Sequence, residues 1–96
     1  MKLVLKSGKE IEITQYSERW SADGQFGFNT FTLGNGYTSP ESLVPVFTND
    51  ELSSLKIIMD NNDEVVIGGG KLNSIETSID HITGCRTIVN IAPLDA

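Results

Sequence analysis

The chain has 96 residues with 13 acidic and 7 basic side chains, a net charge of −6, and 39% hydrophobic residues. That length and balance give one domain, residues 1–96, with apolar material for one core, and argue against disorder. The negative charge and the scattered positions of Lys2, Lys6, Lys9, Arg19, Lys56, Lys71 and Arg86 exclude a basic stripe for a phosphate backbone, so no direct nucleic-acid binding is expected.

From the start, Leu3 and Leu5 alternate with Lys2, Val4 and Lys6. Ser7-Gly8 reads as a two-residue turn, and Ile11 and Ile13 alternate with Glu10, Glu12 and Thr14. The pattern predicts an opening hairpin with one apolar face. Ser17 to Gly24, polar apart from Trp20 and Ala22, reads as a loop. In Gln25 to Leu33, Phe26 and Phe28 have one parity and Phe31 and Leu33 the other. A bulge or break near Asn29-Thr30 would return all four to the core. Asn35-Gly36 signals a tight turn, and Pro40 and Pro45 mark an irregular or edge segment.

The next stretch, Phe47 to Ile67, predicts a short capped helix of about two turns that runs into a hairpin. Thr48 and Glu51 have capping-box spacing, Phe47 and Leu52 have staple spacing, and Asp50 and Glu51 suit the positive helix start. Ile57 and Met59 then alternate with charged neighbours, Asn61-Asn62-Asp63 turns the chain, and Glu64 to Ile67 returns. Gly68-Gly69-Gly70 breaks the ladder. Leu72, Ile75 and Ile79 lie on a long strand with a parity shift near Asn73-Ser74. A Thr83-Gly84 turn would set Ile82 opposite Cys85. In the last strand Cys85, Val89 and Ile91 face one way and Arg86, Ile88 and Asn90 the other. The expected fold is mainly β (α+β): about seven short antiparallel strands in a small sandwich or partly open barrel, with one short capped helix.

Chemistry is scarce. A nucleophile needs a base and a group to orient it, yet the chain has one histidine and one cysteine. His81 and Cys85 would flank a turn on opposite faces, so no catalytic residue is assigned. Structural zinc wants four Cys or His ligands, which are not present. Asp60, Asn62 and Glu64 lack the glycine and distal glutamate of a calcium loop. Gly68 to Lys71 lacks the leading glycine and trailing Ser or Thr of a phosphate loop. No metal and no cofactor is expected. Glu10 and Glu12, like Asp60, Asp63 and Glu64, read as solvated charges that guard edges.

Two features point to a binding surface. Trp20, with Tyr37, Phe26 and Phe28 nearby in sequence, is the aromatic candidate. Asp60, Asp63 and Glu64 are the acidic one, which could imitate the charge of nucleic acid. No apolar segment is long enough for a signal peptide or a membrane span, so synthesis in the cytoplasm and no membrane partner are expected.

The opening KLVLKSGKEIEI, the middle DELSSLKIIMDNNDEVV and the closing KLNSIETSI followed by TIVNI resemble small uncharacterised proteins encoded by phages and prophages of Gram-positive bacteria. The resemblance implies a phage-encoded accessory protein of a structural or tail region, for which the virion is one expected destination after synthesis in the cytoplasm. It carries over no functional residue. The expectation is a non-enzymatic protein–protein interaction module, a phage accessory or virion- or tail-associated structural protein that binds a protein partner or itself. The alternative is a phage-encoded inhibitor of a host enzyme, acting as an acidic nucleic-acid mimic.

Overall fold

A computed structural model describes residues 1–20, 22, 27–34, 39–82 and 84–93. Among them are seven strands: β1 (Lys2–Val4), β2 (Glu10–Trp20), β3 (Gly27–Leu33), β4 (Lys56–Ile58), β5 (Glu64–Val66), β6 (Lys71–Asp80) and β7 (Gly84–Ala92). A one-turn helix, α1 (Pro40–Leu43), and a 3-10 turn, Glu51–Ser53, lie between β3 and β4. The strands form one open antiparallel sheet in the order β5-β4-β1-β2-β3-β7-β6, the mainly β architecture expected. β5 and β6 are its edges.

β2 joins the two halves of the sheet. Its first residues pair with β1, Ile13 pairs with Leu33, and the register then shifts so that Gln15 meets Thr32. Thr14 is the extra residue, and a bulge at that point bends the strand where it changes partners. Ser17 to Trp20, expected as loop, continues β2 and pairs with Thr30, Asn29, Phe28 and Gly27. Its alternation was invisible because neither face there is apolar. The break expected at Asn29-Thr30 does not occur: β3 runs straight and the irregularity sits in its partner. Phe31 is therefore buried while Phe28 faces the other way, 39% exposed. Phe26 and the Asn35-Gly36 turn lie outside the described residues. The shift expected in β6 is present, with Asn73 extra between Leu72↔Ile91 and Ser74↔Asn90.

Two hairpins share one turn. Between β1 and β2, the Leu5 amide donates to Lys9 O at 2.9 Å and the Gly8 amide to Leu5 O at 2.9 Å, with Gly8 at φ 93°. Between β4 and β5, the Met59 amide donates to Asp63 O at 2.8 Å and the Asn62 amide to Met59 O at 2.9 Å, with Asn62 at φ 71°. Each is a three-residue loop closed by a left-handed residue, so the two-residue turn expected at Ser7-Gly8 is one residue longer. At the far end Asp80 pairs with Gly84 and Ile79 with Cys85. The expected pairing of Ile82 with Cys85 is therefore not formed.

The core lies on one face of the sheet, where Leu3, Ile13, Phe31, Ile57, Val89 and Ile91 meet Leu43, Phe47, Leu52 and Leu55 from the connection after β3. Each such side chain contributes about 1.5–3 kcal/mol on burial. Phe47 and Leu52 are both buried, as staple residues would be. The helix itself is shorter than expected. Thr48 Oγ1 accepts the Glu51 amide at 3.2 Å, but the Glu51 carboxylate does not return to Thr48. It accepts the Ser7 amide at 3.0 Å and the Ser7 hydroxyl at 2.6 Å, and the Lys6 amide donates to Glu51 O at 3.1 Å. The capping residue is thus used to dock the β1–β2 turn, and by Ser54 the backbone is already extended toward β4. The helical turn forms earlier, at Pro40, a residue suited to a helix start.

Gly68-Gly69-Gly70 threads a tight gap between these parts. The Gly70 amide donates to Leu52 O at 2.9 Å and the Ile67 amide to Leu55 O at 3.1 Å. A Cβ on Gly69 would lie 2.2 Å from Ser53 O, and one on Gly70 would lie 2.5 Å from Ala92 O. Close backbone approach explains these two glycines without any phosphate.

Candidate interaction surfaces

The residues that could carry catalysis stay apart in role. His81 is exposed beyond β6, and Cys85 is half-buried opposite Ile79. Among the described residues, no group of three or more His, Cys, Asp or Glu is placed to hold a metal ion. No described helix is long and apolar enough to cross a membrane.

The acidic candidates sit on the β4–β5 hairpin, all exposed and each with a partner. Asp60 Oδ1 lies 2.7 Å from the N-terminal ammonium, and Glu64 Oε1 lies 3.3 Å from Lys56 Nζ. Asp63 Oδ2 accepts Asn61 Nδ2 at 2.9 Å, while Asn61 Oδ1 accepts the Asp63 amide at 3.0 Å and braces the turn. Lys2–Glu10 and Lys6–Asp50 add two more exposed pairs on the same half of the molecule. Local neutralisation of this kind weakens a phosphate-like charge row.

Trp20 stands at the end of β2, 58% exposed, and is held in place. Its indole N–H donates to Glu18 Oε1, and its ring lies where a Cβ on Gly27 would approach to 3.0 Å. The Tyr16 hydroxyl donates to Glu18 Oε2 at 2.9 Å and lies 2.7 Å from Asn29 Oδ1. The Tyr16 ring stacks on Phe31 with centroids 5.4 Å apart. Tyr16, Glu18 and Trp20 thus form one line along β2, from the core outward. Burial pushes the Tyr16 phenol well above its usual range, and the hydrogen bond to Glu18 and that carboxylate's charge push the same way. Tyr37 lies outside the described residues.

On the opposite face, Ser17, Thr30, Asn90 and Ser74 stand in register across β2, β3, β7 and β6. Thr30 Oγ1 donates to Asn90 Oδ1 at 3.0 Å, and Asn90 Nδ2 donates to Ser74 Oγ at 2.9 Å. Around this ladder lies an open depression of about 430 Å³, with Arg19, Phe28 and Glu76 in its lining. Its residues come from four strands, so only the strand order reveals it.

The edges differ. β5 has three residues, whereas β6 has ten and, among the described residues, a strand neighbour on one side only. Near the end of β6, Ile79 is 80% exposed and Ile82 just beyond it is 82% exposed. Glu76 and Ser78 are exposed as well. In sequence Ile79 lies with Leu72 and Ile75 on one long strand; in the structure those two are half-buried and Ile79 is exposed.

Compared with known proteins, the chain matches no family model, no curated protein and no solved structure.

Proposed function

We propose that this chain is a non-enzymatic interaction module that binds protein by adding a strand to the edge of β6. The observation that carries the reading is that edge. A ten-residue outer strand, Lys71–Asp80, carries an exposed isoleucine next to its last residue, with a second at the turn. Edge strands are commonly blunted by shortness, charge or proline, because unblunted ones pair with other chains. From Ser74 to Ile79, β6 has one charged residue, Glu76, and no proline. Strand addition of this kind takes affinity from main-chain hydrogen bonds and specificity from alternate side chains. The resemblance to phage-encoded proteins supports a role as an accessory or virion-associated component.

The test is light scattering together with affinity capture, using the native chain and Ile79→Lys. The expected result is an assembly or a captured protein that Ile79→Lys removes while the far-UV spectrum stays native. A monomer whose every partner survives Ile79→Lys overturns the reading.

A further inference from the structure

We infer that the strand added to β6 is β6 of a second copy, antiparallel and related by a two-fold axis through Thr77. This identification of the partner rests on the edge-binding function proposed above.

The regular part of β6 is bounded on both sides. The bulge at Asn73 ends it on one side and the turn at His81 on the other, leaving Ser74 to Asp80. Thr77 is the midpoint of that stretch, so an axis there pairs its whole length in both copies.

The side chains select the same axis. After the bulge, Ile75, Thr77 and Ile79 share one face of the sheet, and Ser74, Glu76 and Ser78 share the other. Opposite residues in an antiparallel pair lie on one face. An axis through Thr77 therefore sets Ile75 against Ile79 twice, Thr77 against Thr77, and Glu76 against Ser78. An axis through Glu76 opposes it to itself and sets like charges together, and one through Ser78 pairs only five of the seven residues of the regular stretch. Axes through Ile75 or Ile79 leave only three residues of each regular stretch paired. A one-residue slip mixes the two faces.

One local observation agrees: Ile79, 80% exposed, gains an apolar neighbour in Ile75 of the other copy. The interface is small, so the assembly is weak and dilution dissociates it. Each copy carries a charge of −6, so added salt strengthens it by screening.

Light scattering and sedimentation from about 1 µM to 1 mM read the assembly directly. The expected result is a monomer–dimer equilibrium, with Ile79→Lys monomeric at every concentration and native in its spectrum. The register is read in a Cys85→Ser background. Thr77→Cys is expected to form a disulfide-linked dimer on mild oxidation at least tenfold faster than Ile79→Cys. In this register the two copies of residue 79 lie four residues apart along the strands, roughly 13 Å. Amide exchange in the unsubstituted chain gives a second readout, with β6 amides slowing as concentration rises. A monomer at 1 mM overturns the inference, as does a dimer indifferent to Ile79→Lys or cross-linking as fast at 79 as at 77. A monomer that binds another protein in an Ile79-dependent way overturns the self-pairing and leaves the interaction module standing. A monomer with no Ile79-dependent partner overturns both.

Discussion

The two ends of the sheet use the same antiparallel hairpins and are held by different means. At the β5–β4–β1 end, the β1–β2 turn is tied to the 3-10 turn through Glu51, and Gly69 passes within close reach of Ser53. At the β3–β7–β6 end, Trp20 and Ile79 are left at the surface. One end is fixed by contacts between segments distant in sequence. The other is a regular ladder whose side chains are available to a partner. The proposed interaction rests on the second end, while the core draws on both.

Substitution should separate the two ends, and the largest effect is expected at the packed one. Gly69→Ala places a methyl group against a backbone carbonyl that side-chain rotation cannot move, and should cost about 3 kcal/mol in urea unfolding. A loss below about 1 kcal/mol would show that the joint is looser than its geometry. Glu51→Gln leaves one acceptor oxygen for the two Ser7 donors and should cost about 1 kcal/mol in the same measurement. A negligible change would mean the docked turn does not contribute to stability.

The outer end responds more weakly. Tyr16, where the two regions meet, carries a phenol raised above the ordinary value of 10.0. The unfolded chain ionises near pH 10 and the folded chain only above it, so stability is complete below pH 10 and declines as pH rises further. Tyr16→Phe should remove that part of the alkaline decline. Absorbance at 295 nm should show one of the two tyrosines titrating late. Gly27→Ala is the mildest change. The atoms nearest the added methyl all belong to the Trp20 ring, so unfolding should shift by under about 0.5 kcal/mol while the Trp20 emission changes. A loss as large as that of Gly69→Ala would erase the contrast between the ends.

Much of the ladder was legible from alternation. The hairpin positions, the shift at Asn73 and the facing of Val89 and Ile91 follow from residues that alternate across one buried face. Ser17 to Trp20 was not legible as strand, because polar residues on both faces carry no period. Phe28 was assigned to the core by its type, and the bulge that decides its face lies in β2 at Thr14, on the other strand of the pair. The candidate surfaces were less legible still. Trp20 and the acids of the β4–β5 hairpin were named from residue type; Glu18 and Asn61, which hold Trp20 and Asp63, are local in sequence, while the N-terminal ammonium that meets Asp60 lies 59 residues away and is brought there by the fold.

The sequence by itself determined a mainly β domain, a core of alternating aliphatic and aromatic residues, and a chain poor in catalytic side chains. Those properties depend on local periodicity and composition, which each short segment carries alone. Only the tertiary structure decided that Glu51 would cap a turn 44 residues away, that Gly69 and Gly70 would pass close to other backbone, and that β6 rather than β5 would be the long edge. Those outcomes depend on which strands become neighbours. Strand order follows from the summed packing of the whole sheet, and no single segment encodes it.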